Sequence, residues 1–482
     1  MNRKYIHLLL AGLLLLAVSS CKKELAGVNK NPNATENPQP DYLLTAAVKL
    51  TADAYWGSDN NMGSSLLFIQ HWAKIQYTDP DRYILNNGSF VSLWKTLYSQ
   101  SITDINASIN AGVAQGTPNY KGVGLVLRSW IFQLLTDAYG DIPYKQAGNI
   151  NQYLTPAYDA QRDVYLGLLD DLKTALATLD PAGPAISGDP IYGGNIASWK
   201  HFANSLRLRI ALRIADREPV IAKQVLADIQ TEGSGYIGGL AEAAQLVYQT
   251  SPNQNPISLY FDTRPDEYRI SKSIVDTLRG LKDPRLAAFS DTTTVSTPQK
   301  YVGIPNGLKA GDASGLGFTL TSRPDSLNFR TPTTPAVIIS YAELLFDRAE
   351  AAARGFTTED PAALYQLAIQ ASLAQYHITD PVVVAQYIGQ TAVQYNPANF
   401  RQSIGDQKWI ALFGQGLEAF AEWRRLDYPQ LSPAVAGMLS GKMPVRFIYP
   451  GSEQSLNGAN YTQAVNHQGA DLLTTKLWFD VN

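Results

Sequence analysis

The chain has 482 residues, of which 45% are hydrophobic and 17% are charged, and its formal net charge is −3. A chain of this length can bury a large core. The acidic balance argues against a nucleic-acid partner, because nucleic acids are recognised by basic surfaces. A single cysteine excludes an internal disulfide, so the stability of the fold has to come from packing.

The first 20 residues have the pattern of an export signal. Arg3 and Lys4 precede an apolar run over residues 8–18, which is too short to span a bilayer. The run ends in the tetrapeptide VSSC at residues 18–21, which resembles a lipobox. We therefore predict a lipoprotein signal peptide over residues 1–20 and lipidation of Cys21, whose acyl chains would anchor the protein in a membrane. The alternative is a plain signal followed by an accidental cysteine.

Residues 21–40 are rich in Asn, Pro and Gly, which predicts a flexible lipidated tether. The folded body is predicted over residues 41–482, with no clear linker inside it. It begins with a helix over residues 41–55. Residues 57–89 mix loop-forming residues with aromatic ones, which predicts a long loop region with at most a short helix near residues 66–73.

Strong helices are predicted next, because apolar residues recur at i, i+3 and i+4. They lie around residues 94–109, 123–138, 165–179 and 199–214, followed by a shorter one over 219–230. Residues 233–335 are rich in Gly, Pro and Thr. This composition predicts a long, mostly irregular excursion with short strands and one helix around residues 270–281.

Helices return over residues 336–376. Gly355 is expected to end one helix as its C′ residue, and Asp360 and Pro361 to begin the next as N-cap and first helical residue. Small residues at the contact make this pair resemble a tetratricopeptide unit. A last helix is predicted over 405–427, and residues 430–482 are predicted to be irregular. The expected fold is mainly α, a single α-helical domain with tetratricopeptide-like helix pairs and long irregular loops.

Few residues are arranged for catalysis or metal binding. The sequence has no His or Cys spacing typical of zinc sites and no GxSxG nucleophile motif, and a calcium site built from loop oxygens stays open. Glu418 and Glu422 lie four residues apart on one predicted helix, whereas glycosidase carboxylates face each other across a cleft. We interpret them, together with Glu343, Asp347 and Glu350, as partners of nearby arginines. We therefore predict no enzyme activity and no cofactor.

Basic residues also recur along the predicted helix at residues 199–214, including Arg207, Arg209 and Arg213. A nucleic-acid-binding face would show this pattern. The export signal and the acidic net charge favour a different interpretation, in which these side chains pair with the acidic helices.

The positive signal for function comes from aromatic residues in loop-like sequence. The candidate ligand-binding residues are Trp72, Tyr77, Tyr83, Tyr260 and Tyr268. Sugar rings stack on aromatic faces while nearby polar groups bond to their hydroxyls, and charged residues flank all these positions. The alternative for each ring is that it pins its own loop to the body.

Short motifs distributed along the chain resemble those of the SusD/RagB-like family of outer-membrane nutrient-binding lipoproteins, in the branch with shorter insertions. The motifs are NPN at 31–33 leading to LL at 43–44, YGDIPY at 139–144, WKHFANSLRLRIALR at 199–213, KDPR at 282–285, ELLF at 343–346 with RAEA at 348–351, QKW at 407–409, WRR at 423–425 leading to YP at 428–429, and Arg446 with YP at 449–450 and Glu453.

The resemblance implies a non-enzymatic protein lipid-anchored at the cell outer membrane and facing the exterior. It implies a SusC-like TonB-dependent barrel as partner, which the lipoprotein would cap as a lid while delivering a nutrient, expected to be an oligosaccharide. Three alternatives stay open: a peptide-binding member of the family, a helical assembly scaffold, and a lipid-anchored hydrolase. The shared motifs transfer no ligand residue to this chain, so the aromatic candidates rest on the sequence pattern alone.

Overall fold

Helices carry most of the secondary structure. The computed structural model describes residues 38–296 and 298–481, so the predicted signal peptide, Cys21 and most of the predicted tether lie outside the described residues. From Pro40 onward the described residues form one compact unit. None of the described helices combines the length and the apolar composition that crossing a bilayer requires.

In chain order the α-helices are α1 (Pro40–Trp56), α2 (Leu66–Phe68), α3 (Val91–Thr96), α4 (Ile102–Ala114), α5 (Asn119–Tyr139), α6 (Gln161–Thr178), α7 (Ile196–Ile214), α8 (Pro219–Glu232), α9 (Pro256–Thr263), α10 (Lys272–Gly280), α11 (Leu286–Phe289), α12 (Ala310–Gly315), α13 (Tyr341–Ala353), α14 (Pro361–Gln375), α15 (Pro381–Ile388), α16 (Phe400–Ala411), α17 (Gly416–Leu426), α18 (Gly451–Leu456) and α19 (Gly458–Gln468). Two π-helical stretches span Ser58–Ser65 and Leu97–Ser101, and short 3₁₀ turns span Pro80–Arg82, Leu240–Glu242 and Pro397–Asn399.

Short strands tie distant loops together. β1 (Trp72–Lys74) pairs antiparallel with β3 (Tyr268–Ile270), and β2 (Ala244–Leu246) pairs antiparallel with β4 (Ala336–Ile339). Each pair joins segments that are far apart in sequence. The described strands therefore fasten the long loops to the helical body and do not form a sheet core.

The expected fold class is confirmed: the structure is mainly α, with consecutive helices packed in pairs. α13 begins where the Ser340 side chain accepts a bond from the Glu343 amide at 3.1 Å. Gly355 follows this helix in the left-handed region with φ 69°, and Asp360 caps α14 ahead of Pro361. Gly355, Asp360 and Pro361 thus act as the predicted stop and start signals, whereas the Ser340 cap was not predicted.

Close approach of helices requires small residues at their contacts. On α5, a side chain at Gly124 would place its Cβ only 2.4 Å from Cγ1 of Ile109 on α4. Only a glycine lets these two helices approach to the distance seen. Apolar residues on the same face, such as Val123 and Leu127, are buried in the main core.

Three sequence-based expectations about secondary structure need correction. The helix predicted over 405–427 is interrupted between α16 and α17, where Gly414 has φ 89° and cannot continue a helix. Residues 430–482 are not wholly irregular, because they contain α18 and α19. Ala464 is the one buried residue of α19, so its apolar periodicity is faint. Residues 233–335 contain α9, α11 and α12 in addition to the predicted helix near α10.

A buried network of ion pairs joins α7, α13, α16 and α17. Arg209 contacts Glu343 at 2.6 Å, Arg213 contacts Glu418 at 2.6 Å, and Lys408 contacts Glu422 at 2.6 Å. These side chains are at most 4% exposed. The predicted pairing with the acidic helices is confirmed for Arg209 and Arg213, whereas Arg207 pairs with Glu232 on α8. Glu418 and Glu422 are enclosed by cations in the interior and do not face a cleft.

Candidate ligand-binding site

The candidate site is built on the pair β1–β3. In this register Lys74 lies opposite Tyr268, and Trp72 lies opposite Ile270. Directly opposed residues of antiparallel strands contact each other. The Lys74 ammonium accordingly lies 4.3 Å from the centroid of the Tyr268 ring and 3.2 Å from its hydroxyl oxygen.

Helix α9 brings a second tyrosine to the same place. It begins with the Asn255 side chain accepting a bond from the Ile257 amide at 2.8 Å and with Pro256 in its first turn. This start orients α9 so that the Tyr260 hydroxyl donates to Oε2 of Glu267 at 2.5 Å. The Tyr260 ring is half-buried, with one part packed on the core and another facing the cavity described below.

Glu267 is the polar centre of the site. Its carboxylate accepts bonds from Lys74 Nζ, from the Tyr260 hydroxyl and from Arg264 Nη1, the last at 3.2 Å. Burial opposes its ionisation, but the bonds from Lys74 and Tyr260 outweigh burial and lower the pKa of Glu267. Burial also lowers the pKa of Lys74, an effect that Glu267 partly offsets. The result is a fixed set of polar groups held between two tyrosine rings.

An open cavity of about 400 Å³ lies over these groups. Its walls include Lys74, Tyr260, Glu267 and Tyr268. The rest of the wall comes from the π-helical stretch Ser58–Ser65, from residues 80–89 and from α3, which contribute Ser58, Asp59, Gly63, Pro80, Leu85, Gly88, Ser89 and Ser92. Its volume lies within the range of ordinary small-molecule sites, and π-helical turns are frequent at functional sites.

A buried carboxylate fixes the loop that borders this cavity. Asp81 accepts bonds from the amides of Lys74 at 3.1 Å and Gly307 at 2.9 Å, and from the Asn306 side chain at 2.8 Å. Burial raises the pKa of Asp81 to about 6, although these bonds favour the charged form. Asp81 therefore holds β1 against residues 306 and 307, so the Lys74 backbone beneath the cavity is fixed in place.

Two of the five predicted aromatic residues line this cavity, and a third lies beside it. Tyr260 and Tyr268 are part of its wall. Tyr77 is 67% exposed, and its ring centroid lies 5.4 Å from the guanidinium carbon of Arg264, which also contacts Glu267. The ring of Tyr77 thus extends the aromatic surface away from the cavity.

The other two predicted residues are packed inside the protein. Trp72 has no exposed surface and packs against Phe261 and Tyr268 with ring centroids 6.2 and 5.9 Å away. Tyr83 is 3% exposed, and its hydroxyl accepts the Ala434 amide at 3.1 Å. For these two residues the structure favours the alternative interpretation, in which each ring pins its own segment to the body.

The sequence interpretation missed the polar part of this cavity. Lys74 lies two residues from Trp72, and Glu267 immediately precedes Tyr268. Charged residues beside aromatic ones in short extended segments are the signal that was available. Their contact across 193 positions could not be read from one sequence.

Two larger cavities of about 580 Å³ each exist elsewhere on the protein. One is lined by Trp56, Phe329, Tyr341 and several threonines, and the other lies beside α16. Within residues 38–296 and 298–481, no group of three or more His, Cys, Asp or Glu side chains is arranged to hold a metal ion.

Comparison with known proteins identifies the family. Residues 32–450 match the SusD-like family described as starch-binding and associating with the outer membrane. A solved chitin-binding protein is 27% identical with a TM-score of 0.83, and the alignment covers 92% of this chain and 100% of that one. A SusD homologue from Bacteroides fragilis is 26% identical, with a TM-score of 0.78 and coverage of 92% and 99%.

A chitin-binding SusD homologue from Flavobacterium johnsoniae is 24% identical, with a TM-score of 0.81 and coverage of 91% and 99%, which supports the fold. Among curated proteins, no sequence matches the chain. The family match confirms the resemblance inferred from the sequence motifs. The chain therefore belongs to the SusD-like family, whose members are binding proteins associated with the outer membrane and not enzymes.

Proposed function

We propose that this protein binds an oligosaccharide at the cavity beside β1 and β3 and delivers it to a SusC-like TonB-dependent barrel. In this proposal the chain is anchored by a lipid on Cys21, faces the cell exterior, and covers the barrel as a lid. The residues that line the proposed cavity all belong to the compact unit that begins at Pro40.

The observation that carries the proposal is the combination of tyrosine rings and fixed polar groups in one open cavity. Tyr260 and Tyr268 line it, and Tyr77 adds an exposed ring at its edge. Lys74 and Glu267 are already positioned by each other, so a ligand hydroxyl meets oriented donors and acceptors. Such groups bind at lower entropic cost than flexible ones.

The neighbouring proteins favour a glycan over a peptide. The family description names starch, and the 27% identical structure is described as chitin-binding. Both are polymers of six-membered sugar rings, whose apolar faces stack on tyrosine and whose hydroxyls bond to polar groups. We infer that chito-oligosaccharides and malto-oligosaccharides are the first ligands to test.

Family membership and the predicted anchor together support the proposed delivery to a barrel. A lipid on Cys21 would keep the protein at the membrane, where a transporter could receive its ligand. Co-purification from outer membranes tests this step: a TonB-dependent barrel of the SusC type should be recovered with the full chain. Recovery of the chain without a barrel would contradict the lid role.

Calorimetry of the full chain in detergent tests ligand binding. Chitopentaose, maltopentaose and a neutral pentapeptide are the probes. We expect saturable binding of at least one oligosaccharide, with several-fold to tenfold weaker binding for Tyr77→Ala and Tyr260→Ala, since one aromatic contact contributes about 0.5–1.5 kcal/mol.

Tyr42→Ala is the matched control, because Tyr42 is 75% exposed on α1 and does not line the cavity. It should bind as the unchanged protein does. Binding of the peptide alone would overturn the glycan assignment in favour of a peptide-binding family member. Binding of none of the probes would favour the assembly scaffold.

A further inference from the structure

A second cavity, of about 580 Å³, shares no lining residue with the candidate site. It lies between α10, the segment 391–396, α16 and residues 428–430. Its wall combines the aromatic residues Tyr365, Trp409 and Tyr428 with amide side chains such as Gln394 and Gln402. Among the described residues that line it, there are two carboxylates and no Lys, Arg or His.

The two carboxylates differ in their surroundings. Asp276 on α10 is already paired with Arg279 at 2.8 Å and with Lys272. On α16, the Asp406 carboxylate accepts a hydrogen bond from the side chain of Gln402, one turn earlier. Within the described chain, no basic side chain lies within ion-pair distance of Asp406. The cavity therefore contains a partly buried carboxylate without a cation.

Partial burial of such a carboxylate is unfavourable unless something compensates its charge. In agreement with this, burial raises the pKa of Asp406 to about 6. Nearby aromatic rings add a surface that attracts cations through their π-electrons. Tyr428 is half-buried and lines the same cavity, so its ring is available to a ligand.

We propose that this cavity binds a small ligand through a primary ammonium group, with the Asp406 carboxylate accepting its hydrogen bonds and Tyr428 contacting the cation. The amides of Gln394 and Gln402 are placed to bond to polar groups on the body of the ligand. The ammonium group can come from an amino sugar or from a lysine-type side chain. This proposal does not depend on the site beside β1 and β3.

The test compares matched ligands on the full chain by NMR titration or calorimetry. Glucosamine and N-acetylglucosamine differ by acylation of one amine, as do the methylamide of Nα-acetyl-lysine and its Nε-acetylated form. We expect the free amine of at least one pair to bind at least tenfold more tightly than its acylated partner. Preference within the sugar pair identifies an amino sugar, and preference within the lysine pair identifies a side chain.

Asp406→Asn keeps the shape of the side chain and removes its charge. We expect it to weaken binding of the free amine at least tenfold, which is the effect of losing one charge-assisted hydrogen bond. Asp276→Asn is the control and should change the affinity by less than about threefold, because its carboxylate is already paired.

Equal binding of the free and acylated forms, or no binding of any of the four compounds, would overturn the proposal. Retention of wild-type affinity in Asp406→Asn would also overturn it. If that variant does not fold, the comparison of ligands on the unchanged protein still decides the question.

Discussion

Arg425 and Glu350 form a two-point ion pair in the protein interior. Nη1 and Nη2 of Arg425 donate to the two carboxylate oxygens of Glu350, and neither side chain is more than 1% exposed. The pair joins α17 to α13, and Arg425 also contacts Glu422 on its own helix. Both residues belong to the family-like motifs WRR and RAEA, and both act as contact points between helices. This explains why these motifs identify the fold of the protein but not its ligand.

Removing one partner of this pair should be costly. We expect Glu350→Gln to lower the free energy of unfolding by about 3–5 kcal/mol, because it leaves a buried guanidinium without its full countercharge. Urea denaturation followed by circular dichroism measures the change. Glu359→Gln is the control: Glu359 pairs with Arg348, both side chains are 28–34% exposed, and the cost should be below about 1 kcal/mol. Equal losses in the two variants would contradict the buried-pair interpretation.

Glu422, within the ion network, should also make stability sensitive to acid. Burial would raise the pKa of Glu422, but Arg425, Lys408 and Arg213 outweigh it and hold this pKa well below its ordinary value of 4.5. Because the pKa is lower in the folded than in the unfolded state, the pairing stabilises the fold fully above about pH 4.5 and is lost as the pH falls further.

Urea midpoints measured from pH 7 to pH 3 check this expectation. In the unchanged protein the urea midpoint should fall as the pH drops below about 4.5. In Glu422→Gln the midpoint should start lower at pH 7 and fall less steeply with acid. A midpoint that stays constant down to pH 3 in the unchanged protein would show that the network does not contribute in this way.

Truncation of Trp72 should lower the stability of the fold, whereas truncation of Tyr77 should lower the affinity for the ligand. Trp72→Ala removes a fully buried ring and should cost about 3–5 kcal/mol of unfolding free energy. Tyr77→Ala removes a ring that is 67% exposed and should change stability by less than about 0.5 kcal/mol while weakening glycan binding. Thermal denaturation and calorimetry on the same samples separate the two effects. A stable Trp72→Ala variant that fails to bind glycan would place Trp72 at the ligand after all.

The predicted lipid anchor has a direct test. Cys21→Ala removes the thiol that would carry the lipid, so the protein should be exported in folded form and recovered in the soluble fraction. Membrane fractionation followed by immunoblotting measures the distribution, in a strain that lacks the partner barrel so that docking cannot retain the protein. Continued recovery of Cys21→Ala with the membrane would contradict lipid anchoring.

Local signals allowed much of the helical body to be predicted. Asp360, Pro361 and Gly355 act on the backbone within one turn, so their roles were visible in the sequence. The pairing of α7 with the acidic helices was also predictable, because arginines and glutamates recur at helical spacing. The break at Gly414 could not be predicted, because the residues around it continue the apolar pattern of a helix.

The candidate site was harder to predict because its parts are distant in the chain. Whether an aromatic side chain in a loop is buried depends on what packs against it. For Trp72 these partners are Phe261 and Tyr268, almost 200 positions away. Glu267 likewise gains its role from Lys74. The stretches that contribute to the site were therefore identified, while the exposure of each ring required the structure.

Helix α1 runs from the first residue of the compact unit to the edge of the candidate cavity. The carbonyl of Pro40, its first residue, accepts a bond from the Ser108 hydroxyl at 2.7 Å, and Trp56, its last, precedes the cavity wall residue Ser58 by two positions. A helix of this length is a stiff rod of about 25 Å. If the proposed lipid anchor pulls on the chain ahead of Pro40, α1 is the element that would receive this load, and its far end lies two residues from the wall of the candidate cavity.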